Sequence, residues 1–295
     1  MRNLCRNCSL LVVVCAWLVT TMTVALAAEQ VNWESGVIRV TGGGVAPART
    51  GTMAQARNMA RRAAVVDGYR QLAEIINGVD VTGETTVEMA AAVSDVIKTR
   101  VHATIRGARV VEERMTPDGG YEVVMEVSLF GVSNSVAAAV MEPPAQPKEF
   151  PPPVPEVIPS LPADSGTGVV GTFSQVSTPP ESSMSPIGGF TGLVVDCRGL
   201  GLKAVMSPVI KNERGVPIYG HENLNYDLVV RDGMVGYSSN AANVSRAGNH
   251  PLVVKAQSLS DHNANPVLSV ADANRVLIEN GATGFLNKTC VVFLR

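Results

Sequence analysis

Aromatic residues are scarce in this sequence, at 4% of 295 residues, and basic residues are in no excess, with 24 Lys and Arg against 26 Asp and Glu. Proteins that bind single-stranded nucleic acid stack its bases on aromatic side chains and neutralise its phosphates with clustered Lys and Arg. The composition therefore excludes a nucleic-acid partner. A hydrophobic content of 46% is nevertheless typical of globular domains.

The recognisable arrangements of catalytic and metal-binding residues are also missing. The four histidines are scattered, and no Cys/His spacing resembles a zinc site. No Gly-x-Ser-x-Gly nucleophile motif occurs. The segment Gly199–Ala204 fits a permissive dinucleotide fingerprint, but Pro208 follows before a long helix could form, so we interpret its glycines as turn residues. The sequence predicts no enzymatic activity, no cofactor and no metal.

The amino-terminal residues predict export. A cationic start precedes an apolar run at 10–19, and Ala25 and Ala27 fit the site at which signal peptidase cleaves. Threonines interrupt the run, which is shorter than the about 20 apolar residues that span a bilayer. We expect a signal peptide at 1–27 rather than a membrane anchor, with no transmembrane span left after cleavage. Neither Cys8 nor Cys15 follows a small residue, so a lipid anchor is not expected.

A proline-rich stretch divides the rest of the chain. Twelve of the 18 prolines lie between Pro143 and Pro186, mixed with Ser, Gly and Thr, which is typical of a linker. We predict a first domain at 28–142, a linker at 143–189 and a second domain at 190–295. The linker is interpreted as a spacer, with a docking strip for a partner as the alternative.

The first domain is predicted to be α+β, in the order strand, helix, helix, strand, strand. A strand at Val37–Thr41 precedes a long helix, Met53–Asn77, which begins at a Thr52-x-x-Gln55 capping box. A second capping box at 85–88 predicts a helix over 87–97. Alternating apolar residues then predict a strand over 101–105, which continues through a bulge at 107 into 110–111.

The long helix has small residues on one side of its first half and larger apolar residues on nearly the opposite side of its second half. Gly68 stands at the change. Either the helix bends there, or its second half is covered by another element or another subunit. We predict a self-association face formed by Tyr69, Leu72, Ile75 and Ile76.

A turn at 117–120 followed by the clearest period-two pattern in the chain predicts a hairpin. Glu122 and Glu126 lie on the polar face of its second strand. Arginines of the partner strand can offset these charges, so we interpret them as a solvated cross-strand face and not as an acid/base pair. These arginines are Arg106, Arg109 and Arg114.

The second domain is predicted to be a small α+β domain with mostly short strands and one helix. Strands are expected at 190–197, 209–210, 216–219, 252–256 and 290–294. The helix is expected over Val270–Asn280, with Ser269 as its cap and Gly281 as its end. Asp196 ends the first of these strands, and a turn cap is its simplest role. The alternative is a ligand site in the loops around Asp196, Tyr219, His221 and Tyr226.

Cys197 and Cys290 are the only cysteines outside the predicted signal peptide. Both lie in apolar strand patterns, at the two ends of the second domain, in a compartment that permits disulfides. The first and last strands of small α+β domains are commonly neighbours. We therefore predict that these cysteines form a disulfide, with two separate buried thiols as the alternative.

Four segments carry a resemblance to a known family: Gly36–Gly44, Ala54–Ala64, Leu72–Val79 and Thr99–Ala108. The stretch from 36 to 131 resembles the Lpp-twenty family of envelope proteins, to which the N-terminal domain of the flagellar assembly protein FlgT and the basal-disk protein FlgP are similar. The resemblance implies a secreted or lipid-anchored envelope protein without an active site.

These observations together predict an exported, non-catalytic structural or assembly protein of the periplasm. The resemblance implies association with the outer membrane or the flagellar basal body. The expected partners are envelope proteins or further copies of the chain. The alternative function is a periplasmic module that binds a ligand or an envelope polymer through its second domain.

Overall fold

The computed structural model describes residues 31–49, 51–144, 146–154 and 185–295. The protein is a mixed α+β protein, as predicted. The predicted signal peptide and the central part of the predicted linker lie outside the described residues. Contacts divide the chain into two units. The first contains the described residues up to Ile75 together with Ala108–Glu126, and the second contains Ile76–Gly107 and the described residues from Val127 onward.

The first unit is built on a four-stranded sheet with the order β1-β2-β4-β3. Its strands are β1 (Val31–Asn32), β2 (Val37–Gly44), β3 (Arg109–Met115) and β4 (Tyr121–Ser128). The antiparallel pair β3 and β4 forms the predicted hairpin. Alternate side chains of β4 are buried, namely Val123, Met125 and Val127, which confirms the predicted apolar face.

The long helix α1 (Met53–Asn77) has the predicted bounds. The Thr52 hydroxyl accepts a hydrogen bond from the amide of Gln55 at 3.1 Å, as a capping residue does. The return bond differs from the usual capping box, because the Gln55 side chain accepts from the amide of Gly51 at 3.3 Å.

The buried side of α1 is one oblique row rather than two opposite faces. Its members follow one another at intervals of four: Ala60, Ala64, Gly68, Leu72 and Ile76. Four residues turn about 40° further than one full turn of an α-helix, so such a row winds around the helix axis. The change of face near Gly68 therefore requires neither a bend nor a second subunit.

Two glycines of β2 let α1 lie directly against the sheet. A Cβ atom added at Gly42 would lie 2.2 Å from the Ala64 carbonyl oxygen, and one added at Gly44 would lie 2.2 Å from the Ala60 carbonyl oxygen. Both distances are far shorter than a van der Waals contact between heavy atoms. The absence of a side chain at these positions, together with the small alanines, sets the separation between helix and sheet.

Two short helices follow α1. The helix α2 (Val87–Val93) is capped by Thr86 rather than Thr85, and α3 (Asp95–Arg106) is capped by Ser94. The prediction of a strand over 101–105 was therefore wrong. The buried residues Ile97, Val101 and Ile105 stand four apart, which is the spacing of one helix face.

The predicted bulge at Gly107 was also wrong, since this residue is the C-cap of α3. The irregularity of β3 lies further along, between Val110 and Glu112. Of the predicted charge pairs, Arg114 contacts Glu122 at 2.6 Å. Glu126 pairs instead with Arg39 of β2.

The second unit has two further sheets, with the orders β8-β12-β5-β9 and β10-β11-β6-β7. Its strands are β5 (Gly192–Asp196), β6 (Ile210–Asn212), β7 (Pro217–Tyr219), β8 (Gly236–Ser238), β9 (Pro251–Lys255), β10 (Ser258–Ser260), β11 (Asn265–Leu268) and β12 (Val291–Leu294). Besides α2 and α3, its α-helices are α4 (Val136–Val140), α5 (Tyr226–Asp232) and α6 (Val270–Thr283). The sheet that contains β12 is entirely parallel.

Several predicted elements of this unit are confirmed. The hairpin of β6 and β7 is antiparallel, and β9 lies where an apolar run predicted it. The hydroxyl of Ser269 accepts a hydrogen bond from the amide of Asp272, as expected for the cap of α6. The helix ends at Gly284, which has a left-handed backbone, rather than at Gly281.

The loop after α1 belongs to the second unit because it is bonded to the loop before β6. The Asp80 carbonyl accepts a hydrogen bond from the amide of Met206 at 3.0 Å, and the Val81 carbonyl accepts one from the amide of Ser207 at 2.7 Å. An ion pair between Asp80 and Lys203, at 2.8 Å, adds to this contact.

The predicted disulfide is wrong. Strands β5 and β12 are neighbours, as expected, but they run parallel, with Leu193 opposite Val291 and Asp196 opposite Leu294. Cys197 therefore follows one end of this pair, whereas Cys290 precedes the other. Cys290 is level with Gly192, five residues before Cys197. At about 3.3 Å per residue, the Cα atoms of the two cysteines are separated by more than twice the distance that a disulfide spans. Both cysteines are free thiols.

The side chain of Arg246 joins α5 to the segment before β12. Its guanidinium donates to the carbonyl oxygens of Asp232 at 2.6 Å and Thr289 at 2.8 Å, to the carbonyl of Gly233, and to the Thr289 hydroxyl at 3.1 Å. Burial lowers the pKa of this arginine below its ordinary value. The main-chain carbonyl groups that accept these hydrogen bonds stabilise the positive charge of the guanidinium.

Candidate ligand-binding site

Asp196, the first predicted site residue, acts as a turn residue at the end of β5. Its carboxylate accepts hydrogen bonds from the Arg198 amide at 3.1 Å and from the Arg198 guanidinium at 2.7 Å. These contacts lower the pKa of Asp196 to about 2. The carboxylate is satisfied by its own loop, which agrees with the turn-cap interpretation.

Tyr219 is part of the core. Its side chain is fully buried, and its hydroxyl donates to the Met234 carbonyl at 2.6 Å. Burial raises the pKa of this phenol. Tyr219 therefore has a structural role, although one side of its ring meets Phe150.

His221 begins a short 3₁₀ turn after β7. Its Nε2 atom is buried and has no hydrogen-bond partner among the described residues. Burial lowers the pKa of this imidazole, while the neighbouring Glu222 acts in the opposite direction. The ring is thus favoured in its neutral form.

Tyr226 lies in a cavity of about 410 Å³ in the second unit. The cavity is lined by residues of α3, α4, α5 and the nearby loops: Arg100, Val132, Ala138, Pro143, Tyr226, Asp227 and Val230. The Tyr226 hydroxyl donates to the Met141 carbonyl at 3.2 Å, which fixes the ring in the wall. Ligand sites commonly have volumes of about 300–1,000 Å³ and combine apolar walls with a few polar groups.

The chemistry of this cavity comes from one cation, one anion and one hydroxyl. Arg100 contributes a guanidinium from α3, and Asp227 contributes a carboxylate from the first turn of α5. The remaining lining is apolar. Such a wall suits a small molecule that carries both an anionic and a hydrogen-bond-donating group on an apolar frame.

Arg100 and Asp227 were not predicted as site residues. Arg100 lies next to the segment that was predicted to be a strand, and α5 was not predicted at all. A local signal for α5 is present in the sequence. Asn225 caps the helix by accepting hydrogen bonds from two amides, and Gly233, with a φ of 77°, ends it.

The predicted self-association face is largely inside the chain. Leu72 and Ile76 are fully buried, while Tyr69 and Ile75 are partly exposed. The exposed apolar side chains of the first unit lie elsewhere. They are Val45, Met53, Met59 and Val66, together with Val110, Val111 and Met115 of β3.

Metal-ligating residues are not clustered in the described ranges, where no group of three or more His, Cys, Asp or Glu could hold an ion. No helix in this part of the chain has the length and apolar character to cross a membrane. Among the described residues, we consider for functional interpretation the cavity at Tyr226 and the exposed edge strand β3.

The comparison with known families separates the chain into two similar regions. Residues 42–128 match the LPP20 lipoprotein family. This LPP20-like region runs from the end of β2 through β4 and includes α1, α2 and α3. This match supports the resemblance to the Lpp-twenty family that the sequence segments between 36 and 108 indicated.

Residues 192–295 match the second domain of Treponema pallidum Tp0624. This match begins with β5 and includes every later strand, with α5 and α6. Each match covers less than half of the chain, so each describes a region rather than the whole protein. No curated protein matches the chain significantly.

Proposed function

We propose that the chain is a non-catalytic structural or assembly protein of the bacterial cell envelope that associates with further copies of itself. The LPP20-like region supports a place in the envelope, because the matching family is one of lipoproteins. The exposed edge of the first sheet supports association. A role in flagellar assembly is a finer form of this proposal, supported by the resemblance to FlgT and FlgP, and co-purification with basal bodies would test it.

The proposal of self-association rests on the exposure of strand β3. This strand is at one end of the sheet order, and all seven of its residues are exposed. Three of them are apolar: Val110, Val111 and Met115. The open side of an edge strand offers main-chain donors and acceptors to another strand. Four of the seven residues of β3 are charged, and its register is irregular between Val110 and Glu112, so pairing requires a partner strand with complementary charges.

We expect lysine substitutions on this edge, Val110→Lys combined with Met115→Lys, to weaken self-association by at least about tenfold, since lysine on an edge strand opposes pairing. The dissociation constant is measured by analytical ultracentrifugation of the full chain. The matched control is Val253→Lys, which places lysine at an exposed valine of β9, an edge strand in the second unit. A wild-type protein that stays monomeric at high concentration, or equal weakening in both variants, would contradict the proposal.

The cavity at Tyr226 favours a second function, the binding of a small molecule by the second unit. A ligand present at 100 times its dissociation constant stabilises the folded state by about 2.7 kcal/mol, which raises the melting temperature. We expect a thermal-shift screen of small carboxylates and amino acids to find such a ligand, and Arg100→Ala to abolish its shift. Lys98→Ala, on the same helix but outside the cavity lining, is the control. The absence of any shift, or a shift that Arg100→Ala leaves unchanged, would count against this site.

A further inference from the structure

The described beginning of the predicted linker is bound along the surface of the second unit. Residues 148–154 have the sequence Lys-Glu-Phe-Pro-Pro-Pro-Val and adopt no regular secondary structure. We call them the proline segment. They contact four residues of the second unit, Tyr219, Glu222, Asn223 and Asn274, which we call the segment groove.

At the start of the proline segment, the groove binds both main chain and charge. The amide of Lys148 donates to the Glu222 carbonyl at 2.7 Å, and its ammonium contacts the Glu222 carboxylate at 2.6 Å. The Asn223 side-chain amide donates to the carbonyls of Lys148 and Glu149, at 3.3 and 3.2 Å.

The middle of the proline segment is bound through an aromatic ring and contains three prolines. The ring of Phe150 lies parallel to that of Tyr219, with centroids 6.5 Å apart and an interplanar angle of 8°. The Tyr219 ring is a rigid platform, because it is buried and its hydroxyl is bonded to the main chain. The three prolines at 151–153 have no amide proton, so this part of the segment can lie extended without unsatisfied donors.

At the end of the proline segment, the side chain of Asn274 in α6 bonds to both main-chain polar groups of one residue. Its Oδ1 accepts from the Val154 amide and its Nδ2 donates to the Val154 carbonyl, each at 2.7 Å. A neighbouring β-strand would make the same two bonds. Asn274 is only 1% exposed, and a buried side-chain amide is costly unless it is paired. The segment supplies this pairing.

From these contacts we propose that the segment groove is a binding site for an extended peptide of the pattern Lys-x-Phe-Pro-Pro-Pro-Val, occupied in this structure by the chain's own proline segment. The same segment of a second copy is the external ligand that fits it. Recognition depends on main-chain bonds, one cation and one ring, all within seven consecutive residues. None of these contacts requires the segment to be covalently linked to the second unit, so a separate peptide could make them. The linkage gives the resident segment an effective concentration on the order of millimolar.

The first experiment uses the trypsin site at Lys148, the only Lys or Arg between Arg114 and Arg198. In the native full chain the bound segment protects this site. Asn223→Ala removes two hydrogen bonds, so the bound state should open more often and the cleavage rate at Lys148 should rise by about tenfold or more. Gln257→Ala, an exposed amide with no contact to the segment, is the matched control and should leave the rate unchanged.

The second experiment asks whether the groove binds the segment in trans. A fluorescent peptide of residues 146–154 is added to a full-length Phe150→Ala chain, in which the resident segment is weakened. We expect saturable binding that is weakened about tenfold when the chain also carries Asn223→Ala, or when the peptide itself carries Phe150→Ala. Circular dichroism confirms that each variant is folded.

Protection of Lys148 together with trans binding that depends on Phe150 and Asn223 would support the proposal. Cleavage at Lys148 that is equally fast in the native chain and in Asn223→Ala would overturn it. Peptide binding to the Phe150→Ala chain that is unchanged when the chain also carries Asn223→Ala would also overturn it. Since these results do not depend on β3, they are separable from the test of self-association.

Discussion

Replacing Gly42 with valine is expected to destabilise the protein by about 3 kcal/mol or more, although valine is a better strand former than glycine. The new Cβ would lie 2.2 Å from the Ala64 carbonyl oxygen and 2.5 Å from the Gly68 amide nitrogen. Both atoms belong to the main chain of α1 and cannot move aside by changing a rotamer. The helix must therefore be displaced from the sheet. Denaturant-induced unfolding of the full chain, followed by circular dichroism, measures the loss.

The next residue of the same strand provides the control for this substitution. A Cβ atom at Gly43 would meet nothing within 4 Å. Its amide donates to the Asp67 carboxylate at 3.0 Å, and valine keeps that amide. Gly43→Val should therefore leave stability unchanged or increase it slightly, through its strand propensity. Equal stability of the two variants would show that close packing of α1 on β2 does not limit the fold.

Replacing Arg246 with methionine is expected to cost about 3–4 kcal/mol, because hydrogen bonds to a charged group contribute more than neutral ones and are only partly additive. The substitution keeps a long unbranched side chain but removes every donor to Asp232, Gly233 and Thr289. The carbonyls at the end of α5 and before β12 would lose their partner while remaining in place. Thermal and denaturant unfolding both measure this change.

Arg231→Met separates this effect from the general loss of an arginine. Arg231 lies on α5 and pairs at the surface with the adjacent Asp232, at 2.6 Å. Exposed ion pairs contribute little because water screens them. We expect a much smaller change in stability from this variant than from Arg246→Met. Comparable losses would indicate that the main-chain contacts of Arg246 are not important for the second unit.

Features decided within one element could be predicted from the sequence. The bounds of α1 follow from a threonine cap, a long proline-free stretch and a glycine after Asn77. The apolar face of β4 follows from strict alternation, and the hairpin of β6 and β7 follows from the turn at 212–215. In each case the signal lies in consecutive residues and does not depend on what packs against them.

The segment after Ser94 shows how a local pattern can mislead. Val101, Ala103 and Ile105 alternate with polar residues over a short stretch, which suggests a strand. The same apolar residues, extended back to Ile97, also fit one face of a helix. Periods of two and of about 3.6 coincide at a separation of four, so only the longer window distinguishes them.

Other features depend on partners that are distant in the sequence. The adjacency of β5 and β12 was predicted, but their parallel direction was not, and direction alone decides whether Cys197 and Cys290 can meet. The cavity has the same limitation. Tyr226 was named as a site residue, yet Arg100 reaches the cavity from a helix far away in the chain, and no local pattern indicates that approach.

The position of β12 in its sheet has a consequence for the order in which the second unit can fold. This strand alone connects β8 to the pair β5 and β9, and it follows all three in the sequence. During synthesis or export the earlier strands must wait for residues 291–294 before the sheet can close. Contacts with such large sequence separation form slowly, so this parallel sheet is completed only after β12 has emerged.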